Sequence, residues 1–392
     1  MNTLANSFGV NKPRPGRNAI GVGAEEQRLT AEDQLYILMQ AGIYLVATRG
    51  LAEPEARICY ERAESLAHSL NRPRLLYVAL TAQWRYSLLT GKLTATMQLA
   101  NRVYSLAREQ NDSGALLRAH MALAATHYYS GNFESARKHA LSGIQISRSG
   151  DVESQVEELD EPAIACLCHA ALCAWHFREI SSCHAAMDEA ISLAKKLSDM
   201  HGLAAALYFA AVLGQMERNA VEVERLASDL IELSTRQSFA QSQAVGTAFL
   251  GWARSLSGST VQGISSIEDG IKNLRTGGAI LCLPYFLSLK AEALHLADRT
   301  REALEAIKEA EALVRRSEER WWCAELYRLG GVFLASLGGD EAQIEEAFCT
   351  AIRKAQEQES ISLTKRAEGT YAEYRGQKAS GLGGRGFRLP LC

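Results

Sequence analysis

The chain has 392 residues, 47% of them hydrophobic, with 42 basic side chains against 45 acidic ones and a formal net charge of −3. That apolar content supports a packed core rather than a disordered chain, and the near-balanced charge provides no basic field for nucleic acid. No apolar run reaches the ~18 residues needed to span a membrane. The nine cysteines are spread through helical sequence, which fits reduced thiols better than a disulfide framework, so a cytoplasmic location is expected.

Residues 1–30 (MNTLANSFGVNKPRPGRNAIGVGAEEQ and the three that follow) carry glycine and proline without periodicity and lack the apolar core of a signal peptide; they are expected to be disordered. From Leu35 to Tyr374 the sequence is rich in Ala, Leu, Glu and Arg, which are helix formers, and strand-like alternation is absent.

This stretch repeats itself. One small-residue position recurs as Ala56, Thr96, Ala136, Cys183, Val223, Gly263, Ala303 and Ile344. Seven residues further on lies a second row: Ala63, Val103, Gly143, Ala190, Leu230, Gly270, Ala310 and Ala351. Five residues before the first row is a turn, with Gly91, Gly131, Gly258 and Gly339 in four units and Arg178, Arg218 and Asp298 in three others. Twelve residues before the first row, in the preceding helix, stand Ala124, Ala171, Ala211, Gly251 and Ala291.

Such rows describe stacked helix–turn–helix units. Small residues sit where helices cross closely, and glycine ends the first helix because it reaches φ > 0 without strain. A lone hairpin cannot bury its apolar stripe, so neighbours must stack. The small–large–small spacing, as in Ala56/Tyr60/Ala63 and Ile344/Phe348/Ala351, is that of tetratricopeptide repeats. The period of about 40 is longer than their usual ~34 and close to that of HEAT or armadillo repeats. The spacing favours the first type. The expected fold is all-α: a right-handed solenoid of about eight tetratricopeptide-like hairpins over 31–376. A more polar ninth helix over 360–375 (SISLTKRAEGTYAEYR) would cap it, and the glycine-rich tail 377–392 is expected to be disordered. Its final RLPLC matches no prenylation signal.

One spacing is longer by seven residues, and the excess falls at 149–162 (SGDVESQVEELDEP), with six acids and no base from Asp151 to Glu161. It reads as a solvated loop between hairpins, or as a contact for a basic partner surface. Just beyond it, 166–184 reads CLCHAALCAWHFREISSCH. Cys166, His169, Cys173 and His176 share one helix face, yet four ligands strung over about 15 Å of helix cannot close on one tetrahedral ion. Cys183 occupies a small-residue row, where a thiol behaves as a small apolar group. Core packing is therefore expected, with no metal and no cofactor.

Catalytic signatures are missing: there is no HExxH and no GxSxG. The lone Gly91-Lys92 pair has Tyr86 where a P-loop needs glycine. In a solenoid of this type the first helices line the concave face, where ligands bind. The repeat register turns Tyr128, Tyr129, Trp175, His176, Tyr208, Gln215, Trp252, Tyr285, Glu292, His295, Glu325 and Arg328 inward. Six or more aromatics there suit a partner-binding groove. Trp321 and Trp322 open a first helix, and core packing is the expectation for both.

From Asp112 onward, over roughly 280 residues, the stretches LGWARSLSG (250–258), LPYFLSLKAEAL (283–294), DEPAIACLCHAALCAWHF (160–177) and above all ERWWCAELYRLGGVFL (319–334) resemble a bacterial signalling family. This is the C-terminal tetratricopeptide region of proteins that carry a class III adenylate/guanylate cyclase domain, or a winged-helix domain, followed by a STAND-type ATPase module. The resemblance implies an interaction or sensor half. No cyclase, winged-helix or P-loop segment fits in the roughly thirty residues before the first hairpin, so no enzymatic activity is expected here. The expected function is a non-catalytic regulatory solenoid that takes a partner peptide or helix in its concave groove. A cyclase or ATPase module is among the candidate partners, and neither nucleic acid nor membrane is. The alternatives are a small-molecule sensor domain and a split remnant of a cyclase/ATPase protein.

Overall fold

Several helices start at a residue type suited to a helix N-terminus. Thr30 and Asp33 form a reciprocal capping box at the first helix, and the side chains of Asp112, Asp199, Asn219, Asp340 and Ser360 accept from first-turn amides of later helices. Such bonds satisfy N–H groups that have no intrahelical partner. Pro54 and Pro73 occupy first-turn positions, where the missing N–H is harmless. The computed structural model describes residues 29–149 and 162–380, and within them seventeen helices and no strand.

The helices pair into eight hairpins: α1 (Ala31–Arg49) with α2 (Pro54–Ser69), α3 (Pro73–Leu89) with α4 (Leu93–Gln110), α5 (Ser113–Tyr129) with α6 (Phe133–Ser149), α7 (Pro162–His176) with α8 (Ile180–Leu197), α9 (Met200–Met216) with α10 (Ala220–Gln237), α11 (Ala240–Leu256) with α12 (Thr260–Thr276), α13 (Leu283–Leu296) with α14 (Thr300–Ser317), and α15 (Cys323–Ser336) with α16 (Glu341–Glu357). A single helix, α17 (Ile361–Ala379), completes the stack. The molecule is an all-α, tetratricopeptide-like helical solenoid.

Both small-residue rows are buried throughout. The tightest crossing is α11 on α12: a Cβ on Gly251 would sit 2.5 Å from the Gly263 carbonyl oxygen, and one on Gly270 would sit 2.6 Å from that of Ala244. The hairpin turns hold one left-handed residue each in the second to eighth units: Gly91, Gly131, Arg178, Arg218, Gly258, Asp298 and Gly338. In the eighth hairpin the left-handed residue is Gly338 rather than the expected Gly339. That turn is one residue longer, which accounts for its spacing of 41.

Two boundaries differ from expectation. Helix α17 runs to Ala379, so Gln377–Ala379 continue the last helix instead of belonging to the tail. Nothing breaks the helix before the glycines that begin at 381. The remainder of the tail, residues 1–28 and the acidic segment 151–161 lie outside the described residues. Trp321 and Trp322 stand in the connector just before α15 rather than inside it, and both are buried.

The stack coils tightly enough to meet itself. The backbone N–H groups of Ile280 and Leu281 both donate to the Leu89 carbonyl (2.8 and 3.1 Å), and those of Arg320 and Trp321 to the Tyr129 carbonyl (2.8 and 3.3 Å). Ser360 Oγ lies 2.8 Å from His176 Nδ1. Ile280, Arg320 and Ser360 are 40 residues apart in sequence. Leu89, Tyr129 and His176 each lie two residues before a left-handed turn residue. The same register thus meets three times: the turns of hairpins two and three accept backbone bonds from the starts of hairpins seven and eight, and the turn of hairpin four makes a side-chain contact with the start of α17.

Candidate functional site

The self-contact fills the inner face. Tyr128, Tyr129, Trp175, His176 and Tyr285, expected to line an open groove, are buried. They form one aromatic stack: Tyr128 packs on Trp321 (ring centroids 5.5 Å apart), Trp321 on Tyr285 (5.0 Å), and Phe133 lies flat against His176 at 3.5 Å. These five residues of the expected concave face pack against later segments of the coil rather than facing solvent. Aromatic first-helix residues from hairpins three and four meet those of hairpins seven and eight, and the free energy of removing their faces from water holds the coil closed. Burial pushes the hydroxyls of Tyr128, Tyr129 and Tyr285 well above the ordinary tyrosine range.

A polar centre lies further along the same face. Arg218 donates to Glu292 Oε2 at 2.6 Å, and Trp252 Nε1 donates to the same oxygen at 3.1 Å. The Arg218 guanidinium also lies over the Trp252 ring, 5.1 Å from its centroid. Tyr285 Oη donates to Gln215 Oε1 at 3.0 Å. Arg328 forks onto Glu325 with bonds of 2.9 and 2.7 Å and reaches Thr370 of α17 at 3.1 Å. Arg366, also from α17, lies 3.6 Å from Glu325, caps the Met216 carbonyl and covers the Trp175 ring. Burial raises the Glu325 carboxyl, but Arg328 and Arg366 outweigh it and hold the group at about 2. The centre thus combines three guanidiniums with two carboxylates, and Arg218 and Arg366 reach its edge. Buried atoms in it, among them Gln215 Nε2, Glu292 Oε1 and Arg366 Nη1, have no hydrogen-bond partner among the described residues; buried polar atoms of this kind ordinarily hold water or a ligand.

Of the residues expected at the groove, Trp252, Glu292, Gln215, Glu325 and Arg328 meet in this centre. Tyr208 is half-buried, with its hydroxyl 3.4 Å from Cys282 Sγ. His295 stands apart: its Nδ1 lies 2.9 Å from Thr300 Oγ1 and serves the local turn.

Three features escaped the sequence reading. Glu319 is buried, and its carboxylate accepts from Cys282 N at 3.2 and 3.1 Å and from Trp321 Nε1 at 2.6 Å. Burial, only partly offset by those bonds, pushes it up to about 7. Arg218 was legible only as a turn residue, and Arg366 only as part of a polar helix. His120, His127 and His139 cluster on α5 and α6 beside Tyr104, with His120 Nδ1 and His139 Nδ1 3.0 Å apart.

The cysteine-rich stretch is core. Cys166, Cys168, Cys173 and Cys183 are buried, and burial raises the thiols of Cys168, Cys173 and Cys183. His169 Nδ1 lies 2.7 Å from the Ala165 carbonyl, and burial lowers this imidazole to about 4. Among the described residues no group of three or more His, Cys, Asp or Glu is arranged to hold a metal ion, and no helix is long and apolar enough to cross a membrane.

Fold and site together define a helical-repeat solenoid with a closed, aromatic and ionic inner face. No protein-family profile matches the chain. An uncharacterized protein of Rhizobium meliloti (strain 1021), R02095, is 24% identical over 345 residues, covering 87% of this chain and 33% of that protein. The chain thus spans about a third of the length of that curated relative. Among solved structures, a Rap protein complexed with Competence and Sporulation Factor superposes with a TM-score of 0.57 at 11% identity, covering 89% of this chain and 99% of that one. The regulator NprR in complex with its cognate peptide NprX gives 0.53, also at 11% identity and with the same coverage of both chains. At this identity the likeness establishes the fold.

Proposed function

We propose that the chain is a non-catalytic regulatory solenoid that holds a peptide or helical segment of a partner protein at the polar centre of its inner face. The observation that carries this reading is the pair of buried, partnerless atoms, Gln215 Nε2 and Glu292 Oε1. One is a donor and the other an acceptor, as a peptide group or polar side chain requires. Rap in complex with Competence and Sporulation Factor and NprR in complex with its cognate peptide NprX supply the analogy for a solenoid of this fold. The family that the sequence resembles suggests that the unit under control is a cyclase- or ATPase-type signalling module, in the same polypeptide or in a separate one.

Reaching the centre requires the self-contact to loosen around α17, whose Arg366 and Thr370 cover it. A photo-crosslinking residue in place of half-buried Tyr208 tests the reading in the full chain. The expected result is a crosslink to one defined partner segment, weakened at least about tenfold by Glu292→Gln, the scale of one lost charged hydrogen bond. No crosslink, or a crosslink that Glu292→Gln leaves unchanged in a protein that melts normally, refutes the proposal.

A further inference from the structure

Among the described residues the polar centre carries more positive than negative charge. Glu292 is matched by Arg218 at 2.6 Å, and Glu325 by Arg328 at 2.9 and 2.7 Å. Arg366 adds a third guanidinium, and the charges that weigh most on it are those same four side chains. It stands 3.6 Å from Glu325, beyond a good hydrogen bond, and its Nη1 has no hydrogen-bond partner among the described residues. Neighbouring His176 does not enlarge the excess: burial first, then Arg366, lowers its imidazole well below the ordinary range. A positive charge taken out of water is costly until an anion meets it.

We propose that this centre takes a carboxylate with an N–H group beside it, the chemistry of the last residue of a peptide or of an acidic residue within one. The inference rests on the reading of the centre as the partner-binding site and names the group of the partner that it recognises. Three unfilled atoms define the chemistry: Arg366 Nη1 and Gln215 Nε2 are donors, and Glu292 Oε1 is an acceptor. They belong to one neighbourhood. Arg366 caps the carbonyl of Met216, the residue after Gln215. Gln215 Oε1 accepts from Tyr285, whose hydroxyl feels the charges of Glu292, Arg218 and Arg366. A carboxylate accepts from both donors and neutralises the one excess charge. Its companion N–H goes to Glu292 Oε1, since the other oxygen of Glu292 is already taken by Arg218 and Trp252. A phosphate, at about −2, would overshoot that charge and brings no N–H. The exposures set the direction of entry. The Arg218 and Arg366 side chains are 10% and 12% exposed, against 0% and 2% for Glu292 and Glu325, so an incoming group meets guanidiniums first. A small carboxylate reaches this edge without loosening α17.

Thermal melting of the full chain in low-chloride buffer tests the proposal, because a ligand of the folded state raises Tm with its concentration. The probes are N-acetylglycine, with a chain-end carboxylate; N-acetylaspartic acid α-amide, with a side-chain carboxylate; and N-acetylglycinamide, which keeps the N–H and lacks the charge. At least one charged probe is expected to raise Tm at a concentration about tenfold or more below that needed for the uncharged amide, the scale of one charged hydrogen bond. Whichever charged probe acts at the lower concentration identifies the chain end or the side chain as the source. Arg366→Gln should weaken the charged probe about tenfold and leave the amide unchanged. Gln215→Glu keeps the acceptor for Tyr285 and sets the missing charge inside the centre. It should melt above the parent without any probe and lose the response to the charged ones. Equal response to charged and uncharged probes, or no response to any, overturns the proposal. So does either variant responding as the parent does. If the charged probes fail while the Tyr208 crosslink forms and falls with Glu292→Gln, the partner reading stands and this one falls.

Discussion

Glu319 makes the closure of the coil sensitive to pH. Its carboxylate sits beside the bonds from Arg320 and Trp321 to Tyr129 and accepts from Cys282 N and Trp321 Nε1, and no cation among the described residues forms an ion pair with it. Burial lifts it from an ordinary 4.5 to about 7. The folded protein therefore holds this proton more tightly than the unfolded chain does. The stability so contributed is complete below about pH 4.5 and is lost as pH rises through 7. The gap corresponds to about 3 kcal/mol by pH 8.5. Glu319→Gln retains an oxygen that accepts from Trp321 and Cys282 but cannot ionise, so the loss should vanish in this variant. Urea denaturation of parent and variant between pH 5 and 8.5, followed by tryptophan fluorescence, reads the difference directly. The two should be of similar stability at pH 5, with the variant ahead by about 3 kcal/mol at pH 8.5. Parallel pH profiles would refute the reasoning, because every other titrating group is common to both proteins.

The histidine cluster should act in the opposite direction. Burial first, then His120, His127 and Lys138, lower His139 to about 4, so stability present above pH 6.5 is lost as pH falls toward 4. Half-exposure screens the effect to about 1 kcal/mol, and His139→Asn should remove that loss in acid melts. At the tightest crossing, Gly263→Val must push apart α11 and α12 and should destabilise by at least about 1–3 kcal/mol, measured by thermal melting. Alkylation of the native protein should modify exposed Cys349 first and half-buried Cys59 next, leaving Cys166, Cys168 and Cys173 unmodified because burial withholds access to all three and, at Cys168 and Cys173, the thiolate as well. Rapid labelling of the last three, detected by peptide mass mapping, would contradict the core assignment of that stretch.

The hairpins were legible because their determinants are local. A small residue at Ala136 or Ala303 marks a helix crossing wherever the hairpin sits in space, and a left-handed turn at Gly131 or Asp298 needs only its own neighbours. Closure is a different quantity. It depends on a small rotation between successive hairpins, accumulated over five of them, and no single spacing encodes that rotation. Tyr128 and Trp175 are buried, and the segments that cover them come from 185 or more residues further along the chain. A signal for closure was nevertheless present in the connectors. Gly277–Cys282 places Ala, Ile, Leu and Cys, and Glu319–Trp322 places two adjacent tryptophans, in links between polar helix ends, and these are the segments that dock on Leu89 and Tyr129. An apolar connector recurring at the repeat period should therefore be read as a contact surface for a distant turn.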